Sequence, residues 1–256
     1  MPPGVRLALL FVLALLILPG MARVPQAWEE ARPVLLAPGT TGAALVVGTA
    51  LATPGRLLDR LLGRETGGPP LVALTFDDGP YPMYTPALLD LLRRHGARAT
   101  FFVTGAGVRD HPELARQIAE EGHELANHTF SHRREADLTP TELESEVIAA
   151  EREIELATGH RTRFFRPAGG GMSPSMLDTV GRLGYTTVLE TVNAGDWWVR
   201  DPGELYRGSF RGRLRGGLVL MHSGSYGTLQ ALPTVLADLR AKGLRFVTMG
   251  DLARAR

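Results

Sequence analysis

The sequence predicts an α/β fold in which parallel strands alternate with helices and curve into a distorted barrel. From residue 71 onward, short apolar runs alternate with amphipathic helical patterns. Such alternation predicts parallel strands with right-handed crossovers, because a parallel pair needs a long connection that is usually a helix. The length of 256 residues is also ordinary for a single α/β barrel.

Seven apolar runs bounded by turn-forming residues are predicted to be strands. They are residues 71–76, 99–103, 124–126, 164–165, 185–189, 218–221 and 246–249. Capping and stop signals predict helices between them. These helices span residues 85–95, 112–121 and 139–158, a segment that starts at 173, and residues 229–241. The longest begins with a capping-box pattern formed by Thr139 and Glu142.

Open doubly wound sheets and closed barrels share this alternation, so the pattern alone does not choose between them. Polar residues favour the barrel, since Asp77, His128, Arg166 and His222 each lie at or one residue beyond a predicted strand end. In parallel barrels the active site is formed by several loops at the carboxyl-terminal ends of the strands. We therefore predict a barrel that is incomplete, with seven strands.

The composition excludes several classes of protein. Hydrophobic residues make up 44% and charged residues 21% of the chain, which excludes a disordered protein and a polytopic membrane protein. A net charge of +1 gives no electrostatic signature of nucleic-acid binding. Without cysteine, the chain has no disulfide, no thiolate metal site and no cysteine nucleophile.

The first 22 residues are predicted to be a signal peptide or a membrane anchor. An apolar run over residues 7–18 follows Arg6 and leads to the small residues Gly20 and Ala22. This run fits a signal-peptide core and is shorter than the roughly 20 residues that span a bilayer. Cleavage after Ala22 predicts a secreted or periplasmic protein. Retention predicts anchoring through residues 5–22 on the outer side of the cytoplasmic membrane. Residues 23–69, rich in proline and glycine, are predicted to be a connector to the folded domain, residues 70–256.

Two carboxylates and two imidazoles carry the strongest chemical signal. Asp77 and Asp78 directly follow the first strand. One aspartate there is explained by a turn cap, but two repel each other unless a cation or an arginine compensates. His128 and His132 share a face if their segment turns helically, although a histidine pair alone is equally well explained as two surface residues. Beside the aspartates, two imidazole nitrogens and a carboxylate match the ligand set of an open catalytic zinc site.

Three later segments bring residues suited to hydrolysis. Arg166 precedes three glycines, 169–171, which form either a permissive loop or backbone N–H donors near a substrate oxygen. Asp196 precedes Trp197, an aromatic residue that packs in loops or serves as a platform for sugar rings. His222 ends an apolar strand, where a general acid is favoured over a buried structural histidine.

Taken together, these motifs resemble those of the polysaccharide deacetylases of carbohydrate esterase family four, the NodB-homology domain. They read TFDDGP from Thr75, HTFSH from His128, FRPAGG from Phe165, DW from Asp196 and LVLMHSG from Leu218, in the family's order over about residues 70–250. The resemblance implies a distorted (β/α)7 barrel over the catalytic domain, residues 70–256. It also implies hydrolysis of N-acetyl groups in a polysaccharide that contains N-acetylglucosamine, with release of acetate.

A divalent metal is the cofactor that the resemblance implies. Its ligands would be Asp78, His128 and His132. Zinc is the first expectation, and Co²⁺, Mn²⁺ and Fe²⁺ are alternatives for a site of two nitrogens and one carboxylate. The polymer substrate, whether peptidoglycan, chitin-like or an exopolysaccharide, is the predicted partner. No nucleic-acid or protein partner is predicted.

The resemblance further implies which residues move protons. Asp77 would be the catalytic base, steadied by Arg166, and His222 the catalytic acid, tuned by Asp196. The N–H of Gly169 would contact the oxyanion, and Trp197 the substrate. In the third motif, Ala168 and Gly169 replace the proline and tyrosine that many relatives carry; in the fourth, Asn193 replaces an additional aspartate.

Two alternatives remain open at this point. One is a metal-dependent hydrolase of another acyl substrate, such as an acetylxylan ester or a cyclic amide, on the same barrel. The other is an inactive carbohydrate-binding protein of the cell envelope. The presence of a complete base, acid and ligand set disfavours the second, because binding alone requires no proton transfer.

Overall fold

Parallel strands and their connecting helices make up the part of the chain that the structure describes. The computed structural model describes residues 71–196, 201–209 and 217–255, all of which lie in one compact unit. The strands are β1 (Leu71–Asp77), β2 (Thr100–Val103), β3 (Glu124–Asn127), β4 (Phe164–Phe165), β5 (Thr186–Thr187), β6 (Val192–Asn193), β7 (Gly217–His222) and β8 (Arg245–Val247). The helices are α1 (Thr85–Arg94), α2 (Gly105–Asp110), α3 (Pro112–Glu120), α4 (Pro140–Thr158), α5 (Pro174–Arg182), α6 (Pro202–Ser209), α7 (Tyr226–Ala241) and α8 (Met249–Arg254), with 3₁₀ turns at Glu135–Asp137 and Ala168–Gly170.

The sheet is built around β1. All the strand pairs are parallel, and the order of the main path is β5-β4-β3-β2-β1-β7-β6. β1 pairs with β7 from Val72 to Asp77, with β8 by its first residues and with β2 by its last. Within the described ranges no pairing joins β5 to β6, so the strands form a curled sheet, an incomplete barrel. Parallel pairing brings the carboxyl ends of the strands to one edge.

Alternate side chains of β1 enter different environments. Val72, Leu74 and Phe76 pack in the larger apolar core that also includes residues of α1 and α7. Ala73 packs instead with Phe102 and other inward-facing strand residues. Because successive side chains of a strand point to opposite faces, Thr75 and Asp77 share the inner face with Ala73. The sequence thus places a carboxylate at the end of a buried inner row.

The predicted fold class is confirmed, and every predicted strand overlaps an observed one. The structure adds β6, two residues that are too short to produce a periodic pattern. It also adds α2, α6 and α8, and α7 begins at Tyr226 rather than 229. In α2, a Cβ at Gly105 would lie 2.7 Å from the Ala150 Cα and 2.5 Å from the Phe130 ring. This helix follows from close packing against α4 rather than from helix propensity.

The predictions for the amino-terminal region lie outside the described residues. They are the signal peptide or anchor at residues 1–22, the connector at residues 23–69 and the start of the folded domain at residue 70. In the portion of the chain that the structure describes, no helix combines the length and apolar character needed to cross a membrane.

Candidate active site

Arg166 holds Asp77 inside the barrel. Its Nη1 donates hydrogen bonds to Asp77 Oδ1 at 2.6 Å and to Thr75 Oγ1 at 2.9 Å. The Thr75 hydroxyl in turn donates to the Val219 carbonyl at 2.8 Å. The guanidinium carbon lies 4.1 Å from the centroid of the Phe102 ring. Because Arg166 and Asp77 are both buried, the ion pair replaces solvation that neither charge receives from water.

Asp78, His128 and His132 bring one ligand atom each to a common point. The three atoms lie within 4.8 Å of one another, and these are the residues for which the sequence predicts a metal. Asp78 Oδ1 is 3.4 Å from His128 Nε2 and 3.0 Å from His132 Nε2. Two ligands with zinc bonds of about 2.0–2.1 Å at a tetrahedral angle are roughly 3.3 Å apart. The donor types and separations therefore fit a zinc-sized cation.

The two imidazoles come from a loop, residues 128–132, that we call the histidine loop. It does not turn helically, so the shared face expected of a helix is not the reason that the rings meet. Instead, Thr129 has φ 66° and His132 has φ 59°, in the left-handed region. The ring centroids are 5.0 Å apart. Non-glycine residues adopt this conformation at a cost, and such positions are common where a site imposes geometry.

The surroundings of Asp78 and His132 favour the charged forms of both side chains. Burial raises the pKa of the Asp78 carboxyl, but hydrogen bonds and charge from His128 and His132 outweigh burial and bring the pKa below its usual range. The hydrogen bond from Asp78 raises the pKa of His132 and outweighs the opposing effect of burial. Asp78 is therefore a carboxylate at neutral pH, the form that a cation requires.

The backbone of Arg166 orients His128. The Arg166 carbonyl accepts a hydrogen bond from His128 Nδ1 at 2.8 Å, which directs Nε2 toward Asp78. Metal-binding histidines commonly have such a partner on the other ring nitrogen. Arg166 thus acts on the site twice, on Asp77 through its side chain and on His128 through its carbonyl. Asp77 Oδ2 lies 3.8 Å from His128 Nε2.

Asp196 and His222 form a second pair beside this cluster. Asp196 Oδ1 lies 2.7 Å from His222 Nδ1, and Oδ2 accepts from the His222 backbone N–H at 2.7 Å and from the Thr228 hydroxyl. Ser225 Oγ donates to the Asp196 carbonyl at 3.0 Å. Burial lowers the pKa of His222, but the Asp196 hydrogen bond and the charges of Asp196, Asp77 and Asp78 outweigh burial and raise it. The arrangement favours a protonated imidazole.

The sheet places this pair next to the first carboxylate. Asp77 and His222 are register partners at the ends of β1 and β7. Neighbouring strands are about 4.8 Å apart, so the two backbones are separated by one ladder spacing. The Ser223 N–H also donates to the Asp77 carbonyl at 2.8 Å. A base candidate and an acid candidate therefore adjoin the triad from adjacent strands.

The remaining predicted residues have different settings. Gly169 lies in an exposed turn at φ 73°, and a Cβ there would meet Arg134 Cγ at 3.1 Å, so this turn lies against the segment after His132. Asn193 is exposed, bonded to Glu190 and to the Gly195 N–H. Trp197 lies outside the described residues.

Several supporting residues were not singled out from the sequence. Thr75 links Arg166 to β7, and Thr228 donates to Asp196. Asn127 Oδ1 accepts from the Thr129 N–H at 3.0 Å, and Glu146 accepts from the Phe130 N–H at 2.9 Å. Thr75 is the first residue of the TFDDGP motif, so its role could have been suspected from the sequence. Thr228 and Glu146 lie in helices, where their residue types indicate nothing unusual.

Comparisons with known proteins identify the family. The family model for polysaccharide deacetylase matches residues 64–188. A peptidoglycan-N-acetylglucosamine deacetylase of Bacillus cereus is 36% identical over 191 residues, covering 72% of this chain and 88% of that protein. A chitooligosaccharide deacetylase of Sinorhizobium fredii is 36% identical over 166 residues, covering 64% and 77%.

Among solved structures, a CE4 family pseudoenzyme from Bacillus anthracis matches with a TM-score of 0.68 and 28% identity, covering 72% of this chain and 66% of that chain. These two sequence relatives match along most of their own length, and the structural match covers most of this chain. The chain belongs to the polysaccharide deacetylase family.

Proposed function

We propose that this chain is a metal-dependent N-deacetylase that releases acetate from a polysaccharide containing N-acetylglucosamine. One observation carries the proposal: the ligand triad adjoins a carboxylate held by Arg166 and an imidazole held by Asp196. We assign the metal to Asp78, His128 and His132, with zinc as the expected ion. Such an ion, when bound, polarises the acetamido carbonyl and makes a coordinated water acidic.

Asp77 is proposed to act as the base. Its Oδ1 is engaged by Arg166 Nη1 at 2.6 Å, whereas Oδ2 faces the ligand cluster at 3.8 Å from His128 Nε2. Oδ2 is thus the oxygen available to take a proton from the attacking water. We propose that the backbone N–H of Gly169 donates a hydrogen bond to the oxyanion. A backbone donor does not depend on the side chain, so glycine at this position can still supply it.

His222 is proposed to protonate the leaving amine, tuned by Asp196. The Asp196 carboxylate accepts from Nδ1, and Nε2 is proposed as the nitrogen that donates to the leaving amine. Protonation is required because cleavage of the C–N bond would otherwise expel an unstable amide anion. The hydrogen bond and charge of Asp196 raise the pKa of His222, which favours the protonated form of the imidazole.

One of the similar solved structures is a pseudoenzyme, so the fold alone does not indicate activity. The residues of the site must be considered instead. This chain carries both a base candidate and an acid candidate, each with its own buried ion-pair or hydrogen-bond partner. A protein that only binds carbohydrate needs neither group. The arrangement therefore supports an active hydrolase over an inactive envelope protein.

The substrate class and the compartment follow from the relatives by analogy. Those relatives are named for peptidoglycan and for chitooligosaccharides. Both are polymers of N-acetylated sugars, so we propose that the acetamido group of N-acetylglucosamine is the reactive unit. Trp197 is proposed as a platform for a neighbouring sugar. We also propose that residues 1–22 act as a signal peptide or membrane anchor, so that the enzyme works outside the cytoplasmic membrane.

Acetate release from N-acetylglucosamine oligomers and from peptidoglycan, with metal stripped and restored, tests the proposal. We expect Asp77→Asn to abolish turnover while zinc remains bound, because the ligands are intact. His132→Ala should lose zinc itself. Equal zinc content and equal activity in both variants would contradict the assignments, and an active metal-stripped enzyme would contradict the metal dependence.

A further inference from the structure

Glu146, on helix α4, directs its whole carboxylate at the histidine loop. Oε2 accepts from the backbone N–H groups of Phe130 at 2.9 Å and Ser131 at 2.7 Å, and Oε1 accepts from Ser131 Oγ at 2.7 Å. Over the described ranges, Glu146 has no ion pair with lysine or arginine. The loop therefore donates three hydrogen bonds to one anionic side chain, and bonds of this kind are stronger than neutral ones.

These bonds lie between the two strained positions of the loop. Thr129 and His132 both have positive φ, and the N–H groups of Phe130 and Ser131 lie between them. On the other side, the carbonyls of Thr129 and Phe130 accept from the Gly105 and Ala106 N–H groups, each at 2.9 Å. A strained conformation persists only where its surroundings over-determine it. Helix α2 supplies part of that restraint, the Asn127 and Thr129 side chains accept the Thr129 and His132 N–H groups, and Glu146 supplies the remaining three bonds.

The two histidines depend on this restraint to different degrees. His128 is 3% exposed, and its Nδ1 is fixed by the Arg166 carbonyl at 2.8 Å. The His132 side chain is 44% exposed, and its ring contacts Asp78 at 3.0 Å. Apart from Asp78, the His132 ring bonds its own backbone, whereas the His128 ring is held by a carbonyl from a different segment. The direction of the His132 ring is therefore set mainly by the loop backbone.

We propose that Glu146 is a positioning residue that holds the histidine loop so that His132 reaches the metal. The inference rests on the proposed function, because it takes the triad to be a metal site. According to this proposal, Glu146 contributes to the affinity for the ion although it lies on a helix and does not touch the reacting atoms. Removing the carboxylate releases the Phe130 and Ser131 N–H groups and allows the left-handed turns to relax, which moves His132 away from Asp78.

Zinc affinity of the full chain, measured by competition with a chromogenic chelator, tests this without any substrate. Glu146→Ala is expected to raise the zinc dissociation constant about ten- to a hundred-fold, as loss of a residue supporting a metal ligand commonly does. Glu146→Gln retains an acceptor oxygen of the same length without the charge, and should recover part of the lost affinity.

Glu142→Gln is the matched control. Glu142 lies one turn earlier on α4 and also accepts a backbone N–H, that of Thr139 at 2.8 Å, so it caps the helix. Within the described residues its bonds reach no atom of the histidine loop, and its pair with the next residue, Arg133, at 3.2 Å joins two exposed side chains and contributes little. We expect this variant to lower the melting temperature of the metal-free protein and to leave zinc affinity unchanged. This comparison separates a positioning role from a merely structural one. If the role were only structural, zinc affinity would fall with melting temperature in all variants.

The inference is overturned if the folded Glu146 variants bind zinc as tightly as wild type, or if Glu142→Gln weakens binding equally. Should Glu146→Ala fail to fold, the comparison of Glu146→Gln with Glu142→Gln decides. The proposed function fails separately, when wild type binds no zinc or Asp78→Ala leaves binding intact.

Discussion

The Asp196→Asn substitution isolates the proton that His222 is proposed to deliver. The carboxylate of Asp196 lies 2.7 Å from His222 Nδ1 and accepts from the His222 N–H and the Thr228 hydroxyl. An asparagine has nearly the same shape and can still accept one hydrogen bond, but it carries no charge. The change therefore removes the electrostatic support of the imidazolium with little change in packing.

The magnitude follows from the contact that is lost. A hydrogen bond to a charged partner contributes roughly 1.5–3 kcal/mol. If that stabilisation is present in the transition state, kcat/KM for the amide falls about ten- to a hundred-fold, at about 1.4 kcal/mol per factor of ten. Because the Asp196 charge raises the pKa of His222, the alkaline limb of the pH profile should also move to lower pH in the variant.

The assay compares an N-acetylglucosamine oligomer with an aryl acetate ester over a range of pH. A phenolate leaves without a proton, so the ester reaction needs the base but not the acid. We expect the amide rate to fall and the ester rate to change little. Equal losses on both substrates with an unmoved pH profile would refute the assignment of His222 as the acid.

Two further variants sharpen the result. Thr228→Val removes one hydrogen bond from Asp196 but keeps its charge, so the loss of amide activity should be smaller and the pH profile unmoved. Asn193→Asp restores the aspartate that many relatives carry. Its side chain is exposed and contacts Glu190 and the Gly195 N–H rather than His222, so we expect no gain in activity.

Two other substitutions test buried side chains. Arg166→Lys keeps a positive charge but cannot bond Asp77 and Thr75 with the geometry of the guanidinium, so we expect kcat to fall about ten-fold or more. Zinc should stay bound, because the backbone carbonyl that accepts from His128 remains. A loss of zinc would contradict this division of roles. Burial lowers the pKa of His123, against 6.5 for the exposed group, to about 4, and Nδ1 accepts from the Ala99 N–H. The folded state therefore resists a proton that the unfolded chain takes up, and about 3 kcal/mol of stability should be lost as pH falls from 6.5 to 4. His123→Asn should flatten this dependence in denaturant unfolding.

The sequence was most informative where chemistry and periodicity coincide. The apolar run before Asp77 predicts a buried strand, and two consecutive carboxylates at its end require compensation from elsewhere. Arg166 was predicted to supply it, and the structure places its guanidinium 2.6 Å from Asp77. The parallel arrangement followed because helices separate the strands, and parallel strands bring their carboxyl ends to one edge.

The parts that could not be predicted are set by tertiary contacts. The histidine spacing suggested a helical turn, but left-handed residues at Thr129 and His132 bring the rings together, and no local pattern indicates them. Glu146 lies 15 residues from Ser131 in sequence, so its role becomes visible only once α4 packs beside the loop. Helix α2 contains Gly105, a poor helix former, and owes its formation to contacts with α4 that the sequence does not reveal.

The register of β1 and β7 has a consequence for how this barrel tolerates change. Asp77 and His222 are opposite each other in a hydrogen-bonded ladder, so the distance between these two proposed proton carriers is set by main-chain geometry. Loops beyond the strand ends can therefore gain or lose residues, and so remodel the approach for a different polymer, while the spacing of the two carriers is kept. Specificity and proton transfer are free to evolve at separate rates.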